Sequence, residues 1–226
     1  MASYAEHHAE VTVNAPVHQV YGLFSHFNDF PKFMSFVKEV TYSDDQHSHW
    51  VAEVAGRHEW DAVNENWVPD QQIGWHSTDG LENFGKVTFA PSGSNQTRVD
   101  VYVNYNPPIG VIGDIGEKLG TGSRFESALQ NDLTHFARMV DEAPAGALDP
   151  NSSNYLFHSD SAAAQGTTTQ RQNETMYNDP NQPQYADTTG TRVTTDRDIT
   201  GTTNQDLATD TINPVAPDSD PTRTNY

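Results

Sequence analysis

Apolar residues keep two rhythms along the first 142 positions, period two and period 3.6, and neither beyond them. Val11 and Val13 alternate with polar neighbours, which predicts a strand over residues 8–13. Asn14-Ala15-Pro16 then opens a helix, because proline suits a first turn whose N–H has no partner. Val17, Val20, Tyr21 and Phe24 stand at i, i+3, i+4 and i+7 and give that helix one apolar face. A second short helical segment is expected at 28–34, where Phe27, Phe30, Phe33 and Met34 crowd enough apolar surface to lie on a core. Six strand-like runs follow at 36–43, 47–55, 58–67, 72–78, 84–90 and 97–105, broken by Asp44-Asp45, Gly56, Pro69-Asp70, Asp79-Gly80 and Pro91-Ser92-Gly93. Val99, Val101, Val103 and Tyr105 alternate with Arg98, Asp100, Tyr102 and Asn104, as in an antiparallel strand with one wet face. Ser123-Arg-Phe-Glu126 reads as a capping box for a helix over 123–142, with Phe125, Leu129, Leu133, Phe136 and Val140 on one face. The pattern is α+β: strand, two short helices, six strands, long helix.

Composition sets the domain count. All four tryptophans precede residue 142, and from about 143 onward the text is Thr, Asn, Asp, Gln, Ser, Pro and Gly. Such a segment buries too little apolar surface to offset the entropy of ordering it. One domain over 1–145 and a disordered acidic tail over 146–226 are therefore expected. Tyr155-Leu156-Phe157 is an apolar island in that tail, which either docks on the domain or stays in solvent. Residues 1–142 hold 8 Lys and Arg against 20 Asp and Glu, a net −12, and the remainder carries −7 of the total −19. This balance repels nucleic acid and anionic lipid, so no nucleic-acid partner is expected. Without cysteine there is no disulfide, thiolate nucleophile or Cys-type zinc site. No signal peptide and no apolar run long enough to span a bilayer is visible, and the expected location is the cytoplasm. Oligomeric state is not legible.

The polar clusters are weak chemistry. His47-Ser48-His49 with His58 has the residue type of a metal site, but spacing supplies no third ligand, and His47 and His49 fall on the face opposite Trp50. Glu59 and Asp61 share a face opposite Trp60, outside any groove. No nucleophile–base pair or nucleotide loop is visible, so no catalytic residue, metal or cofactor is assigned. Trp60, Trp75, Phe89 and Tyr105 face the long helix, either as plain core or as walls of a ligand cavity. Ser77, Asn83 and His58 are the polar groups closest to such a cavity. The glycine-punctuated stretch 110–122 lacks the context of a phosphate loop and fits a lid better.

The order of elements resembles the SRPBCC superfamily, in its bacterial polyketide cyclase/dehydrase branch, related to coenzyme Q-binding START-domain proteins. The resemblance rests on Ala15-Pro16-Val17, Phe27-x-x-Phe30-Pro31-x-Phe33-Met34, Glu59-Trp60-Asp61-Ala62, Ile73-Gly74-Trp75, Gly85-x-Val87-x-Phe89-x-Pro91, Tyr105-x-Pro107-Pro108 and Asp132-Leu133-x-x-Phe136. It implies a helix-grip, START-like fold: a seven-stranded antiparallel sheet wrapped around the C-terminal helix, with a groove for a small hydrophobic ligand between them. The expected groove residues are Trp60, Trp75, Ser77, Phe89, Tyr105, Phe125, Leu129 and Phe136. The function implied is binding or carriage of a lipid, isoprenoid, quinone or aromatic polyketide. A cyclase or dehydratase is the alternative, and an interaction module similar to the ribosome-associated toxin branch is a third reading.

Overall fold

The period-two runs become one curled sheet of seven strands: β1 (Ala5–Val13), β2 (Val37–Tyr42), β3 (His47–Glu53), β4 (Arg57–Val68), β5 (Gln72–Gly80), β6 (Asn83–Gly93) and β7 (Gln96–Tyr105). The structure, a computed structural model, describes residues 4–53, 56–106, 121–149 and 155–177. All neighbours are antiparallel in the order β1-β7-β6-β5-β4-β3-β2. Register breaks within the β2–β3, β4–β5 and β6–β7 pairs add the local twist that curls the sheet. Pro69-Asp70 makes the β4–β5 turn, with Asp70 at φ 61° and the Gln71 amide donating to the Val68 carbonyl.

Alternation assigns the faces as expected. His7, Ala9 and Val13 on β1, Trp50 and Ala52 on β3, Ile73 on β5, Val87 and Phe89 on β6, and Val99 and Val101 on β7 are buried inside the curl. On the outer face His47 pairs with Asp44 at 2.8 Å and His49 with Asp61 at 2.7 Å. Across the sheet lies α2 (Thr121–Asp141), which buries Phe125, Leu129, Leu133, Phe136 and Val140. It starts at Thr121, so Ser123 stands within the helix and is not its cap. The Gly110–Gly122 lid expectation, Val54 and residues 178–226 fall mainly outside the described residues.

Between sheet and α2 sit α1 (Val17–Ser25) and a 3-10 helix, Phe27–Lys32. Phe24 joins all three layers, its ring 4.7 Å from Phe136, 5.7 Å from Phe89 and 5.7 Å from Phe30. Asp132 ties α2 to the segment after the 3-10 helix by accepting the Ser35 amide at 2.7 Å and its hydroxyl at 3.0 Å.

The packed chain does not stop at residue 145. Residues 155–177 form a strap against the 3-10 helix, containing α3 (Ala162–Gln165) and α4 (Gln170–Tyr177), and the compact unit spans Met1–Gln182. The expected boundary at residue 145 falls inside this unit. Tyr155, Phe157, Ala162, Gln172 and Met176 are buried, and Phe157 stacks 6.3 Å from Phe33. The strap is held by hydrogen bonds more than by apolar periodicity: Gln172 Nε2 donates to the Ser25 carbonyl at 2.9 Å, and Asp29 accepts the Ala162 amide at 2.9 Å. Native-state trypsin is accordingly expected to cut at Arg171 no faster than at Arg138 on α2. A time course followed by mass spectrometry checks this, and rapid cleavage at Arg171 would show the strap unpacked.

Candidate functional site

The rings between α1, the sheet and α2 do not close completely. They leave a cavity of about 140 Å³. One end is carbon: Phe24, Phe27, Phe30 and Met34, from α1 and the 3-10 segment. The middle is the sheet, where Trp50 and Trp60 are cross-strand partners stacked at 5.6 Å and 11°. Trp75 lies flat over β6 because its partner there is Gly85, where a Cβ would collide with the indole. Leu129 of α2 faces them.

The other end is the rim where β4 and β6 begin and β5 and β7 finish. Register pairs Asn83 with Tyr105, Trp60 with Gly80 and Ala52 with His58, so this rim gathers His58, Asn83 and Tyr105 beside Leu81, Phe36 and Phe125. Asn83 is anchored: its Oδ1 accepts the Trp75 Nε1–H at 3.0 Å and its backbone N–H donates to Ser77 Oγ at 2.8 Å. Behind the rim, His7 of β1 stacks on Tyr105 at 5.4 Å and meets Phe125 edge-on at 4.9 Å. Both its ring nitrogens are buried without a hydrogen bond, and Glu126 Oε2 is 4.0 Å from Nδ1. Burial holds the His7 imidazole below the ordinary histidine range, with Glu126 pulling the other way, and pushes the Tyr105 hydroxyl up. Among the described residues no Asp, Glu, Lys or Arg lines the cavity.

Of the residues expected from sequence, Trp60, Trp75, Tyr105, Phe125 and Leu129 line the cavity, as do His58 and Asn83. Three do not. Ser77 spends its hydroxyl on the Asn83 amide and acts through that residue. Phe89 packs under Tyr21 and Phe24, and Phe136 under Phe24 and Phe33, in solid core beyond the carbon end. The wall of Phe24, Phe27, Phe30 and Met34 was signalled only by its crowding, and Trp50 by sharing its face with Ala52. A second acidic cluster, His8, Glu10 and Asp100 on the outer face, already holds the Arg98 guanidinium 2.8 Å from Asp100.

Two buried histidines set an acid limit on stability. His26, fully buried beneath the strap, is kept well below the usual histidine range by loss of solvent, against the opposing pull of the Gly22 carbonyl and Asp29. His7 is shifted the same way. A histidine neutral in the fold and free to protonate when unfolded contributes stability that is lost as pH falls from about 6.5 toward its folded value. The unfolding free energy from urea melts is expected to fall below pH 6.5 by up to about 1.4 kcal/mol per pH unit for each histidine. His26→Gln should remove one share of that slope. The raised Asp132 carboxyl acts oppositely.

Residues 13–128 match the family described as polyketide cyclase / dehydrase and lipid transport. An uncharacterized 17.2 kDa protein of Streptomyces lincolnensis is 33% identical over 134 residues, 58% of this chain and 87% of the relative. Among solved structures, one from Thermus thermophilus is 22% identical with a TM-score of 0.54, covering 62% of this chain and 99% of its own. A START superfamily protein from Mycobacterium smegmatis is 16% identical with a TM-score of 0.50, covering 60% of this chain and 98% of its own. Both share the helix-grip fold that the sequence resemblance implied, and no described helix is long and apolar enough to cross a membrane. On the family match, the identity to the relative and the seven-stranded curl around α2, the chain belongs to the polyketide cyclase/dehydrase and lipid transport family.

Proposed function

We propose that this protein binds or carries a small, neutral, mainly apolar molecule in the cavity between sheet and α2. The observation that carries the reading is the polarity gradient of the cavity: carbon at Phe24, Phe27 and Phe30, and His58, Asn83 and Tyr105 at the rim, with the indole N–H of Trp60 as the one unpaired buried donor among the described lining residues between them. A charged ligand buried there would lose its hydration without a counter-charge, a cost of several kcal/mol. A ring or isoprenoid unit at the carbon end with one hydroxyl or carbonyl at the rim loses nothing comparable. An apolar cavity of roughly 150 Å³ accepts a benzene-sized molecule, so a single ring fits the space and a larger ligand requires a wall to give.

A thermal-shift screen tests this. Neutral naphthols, naphthoquinones and short isoprenoid alcohols are expected to stabilise, by about 2.7 kcal/mol at a hundredfold excess over Kd. The matched carboxylates, such as 2-naphthoate, are expected not to. Equal stabilisation by both series would contradict the charge-free site. One observation favours a cyclase or dehydratase: the buried His7 imidazole behind the rim, both its nitrogens without a hydrogen bond, stacked on Tyr105. Conversion of a stabilising compound, seen by chromatography and lost in His7→Phe, would promote that reading.

A further inference from the structure

Residues 25–33 form a wall one helical turn thick with packed groups on both sides. On the inside, Phe27 and Phe30 line the cavity, their rings 5.1 and 6.0 Å from Trp50. On the outside, the same short stretch receives the strap. Gln172, with no exposed surface, donates to the Ser25 carbonyl at 2.9 Å and to Asn28 Oδ1 at 3.3 Å. Asn28 donates to the Thr167 carbonyl at 3.0 Å, and Asp29 accepts the Ala162 amide. His26 Nδ1 bonds the Gly22 carbonyl at 2.6 Å, and its Nε2 meets Met176 Sδ at 2.9 Å. Arg171 lies 4.9 Å over Trp67, whose ring is 5.6 Å from Phe27.

The wall is weak by itself. It is a 3-10 helix with Pro31 inside it, and 3-10 hydrogen bonds have poorer geometry than α-helical ones. Its own backbone therefore does little to fix how far Phe27 and Phe30 reach into the cavity. The strap supplies that restraint, and it lies beyond the residues 13–128 matched to the family.

We propose that the 155–177 strap is a clamp on the cavity wall, with Gln172 and Arg171 as positioning residues that set how readily a ligand enters and leaves. The inference rests on the reading of the cavity as an apolar ligand site. Coupling of this kind is reciprocal: if the strap holds the wall for the ligand, a bound ligand must hold the strap.

The test uses the full chain and naphthalen-2-ol as probe. Stopped-flow tryptophan fluorescence reads release of the probe, and hydrogen exchange reads the strap. Gln172→Ala is expected to speed release about tenfold, within the range usual for coupled sites, and to raise exchange across 155–177. Val140→Ala on α2, away from wall and cavity, destabilises the fold and should leave the release rate unchanged; equal acceleration would reduce the strap to general stability and overturn the proposal. If alanine leaves the strap docked, Gln172→Glu forces it off by burying a carboxylate against the Ser25 carbonyl. A strap released in either variant with release of the probe unchanged overturns the clamp and leaves the ligand site standing. In the wild type, saturating probe must slow exchange at 155–177, and no slowing also overturns the clamp. Failure of the probe to bind the wild type at all would overturn both the clamp and the ligand-site reading.

Discussion

Phe136→Ala is expected to cost about 3–5 kcal/mol of stability, the range for truncating a fully buried aromatic. Phe136 has no exposed surface, and its ring sits 4.7 Å from Phe24 and 5.0 Å from Phe33, where α2, α1 and the 3-10 segment meet. His49→Ala, on the outer sheet face with only an exposed pairing to Asp61, is expected to stay within about 0.5 kcal/mol. Urea denaturation of the two variants measures both. A loss of several kcal/mol in His49→Ala would mean that the sheet faces are assigned one residue out of phase.

The second large effect concerns the cavity. Ala52 is a buried lining residue on β3, opposite His58, and its small side chain is one reason the space exists. Ala52→Phe places a ring where a ligand ring is expected to lie. Binding of a stabilising naphthol should fall by at least about a hundredfold, roughly 2.7 kcal/mol. Stability should change by less than the roughly 1–3 kcal/mol usual for overpacking, because the added ring fills a void. Isothermal titration beside a melt separates the two outcomes: loss of binding with a folded protein supports the site, and undiminished binding places the ligand elsewhere.

Strand alternation made the faces of the sheet legible. Trp60, Trp75 and Tyr105 point inward because their parity matches Val99 and Val101, and Phe125 and Leu129 meet them because helical spacing puts them on one stripe. Alternation does not give depth along the groove. Phe89 and Phe136 have the right face and lie too far toward α1 to reach the cavity, since its floor is set by long-range packing of Phe24 and Phe30. Ser77 faces inward, yet its hydroxyl is committed to the Asn83 amide, a pairing invisible without the β5–β6 turn. The strap was hidden for another reason. Its anchors are a glutamine, a backbone amide on Asp29 and an arginine over a tryptophan, in text whose composition reads as unfolded. Only Tyr155-Leu156-Phe157 betrayed it.

On the proposed function, an uncharged apolar molecule occupies the space between sheet and α2. Isotope-filtered NMR on methyl-labelled protein saturated with naphthalen-2-ol tests this most directly, by recording which methyl groups lie near the bound ring. Contacts are expected from the ring to Leu129, Val87, Val101 and Met34, all cavity-lining residues, and they should be lost in Ala52→Phe. Contacts confined to outer-face groups such as Val68, or none with the lining methyls at saturation, would contradict it.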